Sequence, residues 1–365
     1  MIEKSMPASG AITDGVYQSQ ITDITSRADP EIDIEVVMPD TEGMTVVEIE
    51  AEVIDSHDAN LLETVFADEK ARKEIQAKAT EWITLYEQDL RSRDQWEKTY
   101  REGLKLLGLQ MEERTEPWEG ACGVIHPLLT EAVVRFQSEA ITETFPAHGP
   151  VKTQVIGKQT PDRTAAAERV KDDMNWRLTD EMPEYRVEHE RLLWSLPIAG
   201  SAFKKVYHDA SRGRQVSMFV PAEDVVVNYG ASDLHEAERI THVMRRSKNW
   251  IERMIANGAY IDDEIGDPVV EQDETQQEKD KVIGVDGANS DQHTILEMLV
   301  DLEIEPTGED EDEQEYAWPY VVTINKSTSK VMSIRRNWRA EDPKKIKLQH
   351  FVHYTYITGF GFYGF

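Results

Sequence analysis

Cys122 and His126 stand four residues apart in the run EPWEGACGVIHP (116–127). An imidazole close to a thiol can take its proton and leave a nucleophilic thiolate. No third residue nearby would orient that imidazole, and a cysteine beside glycine in a loop usually serves as a small packing residue. The ten histidines include no HExxH. His350 and His353 fall on a strand-like run at an offset of three, which points them to opposite faces and away from a shared metal. There is no GxxxxGK[ST] and no GxGxxG between a strand and a helix. The final nine residues, ITGFGFYGF (357–365), spell the GxGxxG spacing, but Phe and Tyr fill the variable positions and no phosphate-binding helix follows. The acid-dense stretch 301–315 lacks the DxDxDG spacing and distal glutamate of a calcium loop. No cofactor or metal is expected from these residues, and no catalytic constellation supports an enzyme.

One basic cluster remains. Lys326, Lys330, Arg335, Arg336, Arg339, Lys344, Lys345 and Lys347 crowd around Trp338. They read either as a hairpin surface balancing the acidic loop before it, or as a contact surface for phosphate or an acidic partner. Arg335, Arg336, Arg339, Lys344 and Lys345 are the candidates for that contact.

The wider charge pattern frames these residues. The chain has 365 residues and a formal net charge of -30. Residues 1–70 carry 17 acids and 3 bases, and residues 261–315 carry 21 acids and 2 bases, so the remainder is close to neutral. Such acidity excludes binding the outside of DNA as a basic patch does. It points to solvated segments, or to surfaces that repel a polyanion or dock a basic partner. The single cysteine allows no disulfide within the chain, which suits a reducing compartment. No apolar run reaches the ~18 residues of a membrane span. The start, MIEKSMPASG, lacks a basic region followed by an apolar core.

The elements that must position any site can be read from periodicity. Residues 1–60 read as an acidic, flexible arm with two short alternating runs, 32–37 and 44–50. Residues 61–199 read as helical. Ile75, Ala79, Trp82, Tyr86, Leu90, Trp96, Tyr100, Leu104 and Leu107 form one stripe. Further helices are expected over 128–145, 161–181 and 185–196, with Thr160 as a cap and Pro146 as a stop. From Gly200 the period changes to two. Hairpins are expected at 202–220 and 320–334, and strands at 224–227, 240–246, 294–304 and 348–354. A helix is expected at 248–256. The β-rich part, 200–356, contains an acidic insertion at 261–292 that reads as a loop, and 357–365 reads as a turn. Helices first and strands second give an α+β fold.

Five segments, in this order, resemble the portal protein of tailed bacteriophages, the head-to-tail connector, and most of all the short-tailed-phage type. They are PWEGACGVIHPLLTEAVVRFQSEAITETFP (117–146), LLWSLPIAGSAFKKVYHD (192–209), VPAEDVVVNYGASDLHEAERITHVM (220–244), PYVVTINKSTSKVMSIRRNW (319–338) and HYTYITGFGFYGF (353–365). The resemblance implies a non-enzymatic ring, a dodecamer at one capsid vertex of the virion. Double-stranded DNA would pass through it without sequence recognition, a terminase would dock on it, and a tail adaptor would join below. The major capsid protein or scaffold would surround it, and assembly would take place in the host cytoplasm. The chain would supply the wing. Its strand 348–356 and the turn 357–365 would lead toward a stem helix, and stem, clip and crown have no counterpart here. Gly359, Phe360, Gly361, Phe362, Tyr363 and Phe365 would then form a stem junction or subunit interface. Their aromatic rings would be exposed and frayed in an isolated chain. Two other readings stay open. One is an acidic scaffolding or capsid-associated protein that binds basic partners through 261–315, and the other is an enzyme using Cys122 and His126.

Overall fold

The computed structural model describes residues 57–107, 109, 116, 118–209, 212–268, 273–284, 292–304, 317–359 and 361–364. The alternating runs at 32–37 and 44–50 lie outside the described residues, as do Phe360 and Phe365. Everything below concerns the unit Val53–Phe365.

The expected aromatic stripe forms two consecutive helices, α1 (Glu69–Ser92) and α2 (Asp94–Leu106). Asp68 caps α1 by accepting from the backbone N–H groups of Lys70 and Ala71, which satisfies donors that a helix start leaves open. α3 (Leu128–Thr144) follows the Pro/Gly loop. α4 (Pro161–Trp176) starts on a Thr160 cap with proline in its first turn, as the sequence predicts, and runs into a π-helical turn, Arg177–Glu181. α5 (Glu184–Ala199) ends at Gly200, whose φ of 72° is the left-handed conformation that glycine adopts without strain.

The strands follow as β1 (Ser201–Asp209), β2 (Arg214–Pro221), β3 (Val225–Val227), β4 (Arg239–Ser247), β5 (Gln292–Leu302), β6 (Trp318–Asn325), β7 (Lys330–Arg336) and β8 (Phe351–Thr355). Helix α6 (Lys248–Ala256) follows β4, and α7 (Glu274–Ile283) precedes β5. All pairing is antiparallel. A five-stranded sheet has the order β3-β4-β5-β6-β7 and a three-stranded sheet the order β2-β1-β8.

Period-two alternation gives the large sheet two unlike faces. On one face Val243, Leu296, Met298, Val300, Tyr320 and Val322 pack against Ile75, Ala79, Trp82 and Tyr86 of α1. On the other face His242, Met244 and Arg246 of β4, Glu297 of β5, Thr323 of β6, and Ser333 and Arg335 of β7 share one cavity wall. The small sheet covers that wall with Lys205 and Tyr207 of β1 and Met218 of β2. On the far side of the small sheet, Ala202 packs with Leu192, Leu193 and Leu196 of α5, and α3 adds Phe136, Ala140 and Ile141.

Residues 261–292 depart from the loop expected there. Helix α7 lies within them, started by Asp273, which accepts from the Thr275 N–H at 3.0 Å. Glu274 pairs with Arg101 of α2, Lys279 pairs with Glu223, and Asp273 meets Arg245 at 3.0 Å. Gln-rich polarity hides a helix whose partners are charged rather than apolar, so periodicity could not reveal it. Asp89 of α1 ties to β4 in the same manner. It accepts two bonds from the Arg239 guanidinium, at 2.6 and 3.1 Å, in the parallel-fork geometry.

Candidate functional site

The C-terminal turn is where the sequence placed a junction, and of its rings Phe362 and Tyr363 are half-buried rather than exposed as expected. Tyr363 stacks on Trp96 with ring centroids 4.7 Å apart. Its hydroxyl donates to the Val225 carbonyl at 2.9 Å and accepts from Arg93 at 3.1 Å. Phe362 stacks on His353 at 4.6 Å, and His353 stacks in turn on Phe203 at 4.7 Å. The Gly364 N–H, fully buried, donates to Ser201 Oγ at 2.8 Å. A Cβ at position 364 would collide with the Gly200 carbonyl oxygen and the Thr355 methyl, so glycine is required by close approach. Gly359 is half-buried and Gly361 exposed. Phe362 and Tyr363 thus find their partners within this same chain.

Arg93 anchors the turn from beneath. It is 5% exposed and donates to the carbonyls of Ala222 (3.0 Å), Val225 (2.8 Å) and Glu223 (2.5 Å), while its Nε reaches Glu97 at 2.9 Å. A planar five-donor group fits this set of acceptors, which a lysine could not serve. Arg93 closes the α1–α2 stripe, but nothing in its neighbourhood of the sequence marks it as a hub, because its acceptors lie about 130 residues away.

The basic cluster is dispersed. Lys345 lies over the rings of Trp318 and Trp338, at 4.2 and 5.3 Å. Lys347 donates to the Ala237 carbonyl at 2.7 Å and Lys330 to Asp263 at 2.6 Å. Lys326 sits 5.5 Å from the Tyr86 ring. Arg336 is half-buried at the end of β7, whereas Arg339 and Lys344 are exposed. Arg335 alone turns inward to the cavity between the sheets. The structure therefore does not bring Arg335, Arg336, Arg339, Lys344 and Lys345 into one surface. Cys122 is exposed in its loop. His350 lies just before β8 rather than within a strand with His353, and the two bond to different partners, Asn337 at 2.9 Å and Ser201 at 3.0 Å.

The cavity between the sheets is the place where charged side chains converge, and the sequence reading passed over it. Its volume is about 270 Å³. Lys205 donates to both carboxylate oxygens of Glu297, one of them at 2.7 Å, and His242 Nδ1 lies 3.5 Å from that carboxylate. Burial alone would push the Glu297 carboxyl up, but Lys205 and His242 overcome it and hold the group well below the usual carboxylate range. Burial pushes the His242 imidazole down, against the pull of Glu297. Tyr260 and Tyr207 are pushed up by burial and stay protonated donors. Arg246 lies over the Trp250 ring at 5.1 Å. Glu297 interrupts the apolar strand β5, but its partner Lys205 lies on a strand of the other sheet, so only the packing of the two sheets pairs them. Among the described residues, no three of His, Cys, Asp and Glu gather into a metal site, and no helix is long and apolar enough to cross a membrane.

Neither a protein-family model nor a curated protein matches this chain.

Proposed function

We propose that this chain is the wing part of a phage portal protein, a subunit of a DNA-conducting ring that carries out no chemistry. The reading starts from the five ordered segments spanning 117–365. The structural observation that supports it most is the exposure of apolar side chains on α3, on α4 and in the segment between them. α4 has no buried residue, and α3 has only Val133. Val170 and Met174 lie one turn apart in the open, Leu128 and Val134 are exposed on α3, and Ile156 is 92% exposed. A ring would bury such exposed apolar side chains against the next copy. A conduit also has reason to be acidic, because each lasting ion pair to phosphate would retard moving DNA.

Terminase, tail adaptor, and capsid protein or scaffold are the partners this reading brings with it, and a dodecamer is the assembly. Mass photometry of the whole gene product tests it. Rings are expected, and Val134→Asp combined with Val170→Asp should reduce them to monomers with unchanged circular dichroism. A gene product that stays monomeric at every concentration sinks the proposal. Within 261–315, Asp273 and Glu274 are engaged in ion pairs with Arg245 and Arg101 of this chain, which weighs against these two serving a basic partner.

A further inference from the structure

Two guanidinium groups border the cavity between the sheets, and neither is paired with a carboxylate among the described residues. Arg246 makes no hydrogen bond or ion pair among the described residues, and its Nε is shut off from solvent with no acceptor. Arg335 reaches only the Ala259 carbonyl at 3.2 Å and, loosely, Ser333 Oγ at 3.4 Å. Among the described residues of the wall the one carboxylate, Glu297, is already bonded by Lys205. The charge left facing the space is therefore positive. A desolvated N–H without an acceptor is costly, and a bound oxyanion would remove that cost.

We propose that this cavity binds a small organic oxyanion, a carboxylate or phosphate carried on a flat apolar body. Arg246 and Arg335 would grip the acid group, since planar guanidinium forks match carboxylate and phosphate geometry. Tyr207 and Tyr260 border the same space and bring hydroxyl donors. Trp250, Met218, Met244 and Met254 would take the apolar body. The volume, about 270 Å³, sits just under the ~300–1,000 Å³ typical of ligand pockets, so a single-ring ligand is the right scale. The proposal does not depend on ring assembly.

Isothermal titration calorimetry and thermal shift with phenyl phosphate, benzoate and neutral benzyl alcohol test it on the full chain. Phenyl phosphate or benzoate should bind and raise the melting temperature, and whichever binds more tightly identifies the acid group. Benzyl alcohol should not bind. Arg246→Ala should abolish binding. Arg246→Lys keeps the charge and loses the fork, so affinity should fall about tenfold or more. Circular dichroism without probe checks that each variant folds. If Arg246→Ala does not fold, Arg246→Lys and Arg335→Lys are read instead, with the same loss expected. The proposal is overturned if neither acid binds the native chain, if benzyl alcohol binds as well as the acids, or if the Arg246 or Arg335 variant that folds keeps native affinity.

Discussion

Single buried polar side chains hold distant parts of this chain together. Arg93 spends its donors on three carbonyls, Glu97 and Tyr363. Arg93→Lys cannot reach them all and should lower stability by about 3 kcal/mol, read by chemical denaturation. Tyr363→Phe removes one hydroxyl and its two bonds, and about 1 kcal/mol is the expected loss. Lys204 behaves in the opposite way. It is 2% exposed, its Nζ has no hydrogen-bond partner, and it rests 3.8 Å from the centre of the Tyr185 ring. Burial pushes its ammonium down from 10.5 to about 8. The charge thus costs stability at pH 7, and the cost is relieved as pH rises from 8 toward 10.5. Lys204→Met should therefore stabilise the fold by about 2 kcal/mol at neutral pH, part of the gain being offset by the lost ring contact. The gap between variant and native chain should close at alkaline pH; a constant gap would mean that the lysine is not the source.

Among the elements, the turn after β8 and the helix α7 differ most from what local sequence suggests. The turn is seated by a glycine that touches another glycine's carbonyl, Gly364 against Gly200. Gly364→Ala should lift the turn off Ser201 and uncouple Phe362 from His353. Limited proteolysis should then cut within 357–364 in the variant and spare the native chain. Equal protection of both would show that the contact can relax. α7 is held by charge on α2, β4 and the 3₁₀ turn Ala222–Asp224, so its position is decided by partners far away in the chain.

For the molecule as a whole, buried histidines set the acid limit. Burial pushes His189 and His353 down from 6.5 to about 4, and it also pushes His242 and His350 down. In the unfolded chain they take up protons below the ordinary value of 6.5, while the folded chain refuses them. Stability is therefore full above pH 6.5 and is lost as pH falls toward 4. His189 and His353 should each remove on the order of 2 kcal/mol over that range, after discounting for partial solvent access. Denaturation midpoints measured between pH 7 and 4 should fall steadily, and His353→Phe should flatten the slope. A midpoint independent of pH above 4 would contradict the burial of these rings.

Much of the architecture was legible in the residues themselves. The Ile75–Leu107 stripe, the Thr160 cap, the hairpin pairs and the boundaries of α6 follow from local periodicity and capping, which are properties of neighbours in the chain. The order of helices before strands, and so the α+β class, follows from the same patterns. Two decisions needed the tertiary structure. Whether Phe362 and Tyr363 face water depended on Trp96, Phe203 and Val225, residues 138 or more positions away. Whether Arg246 faces an ion pair or an open space depended on which strands a two-residue alternation brings together across two sheets. Periodicity reports which face a side chain occupies, but only packing decides what stands opposite it, because burial and charge pairing are settled between segments distant in sequence.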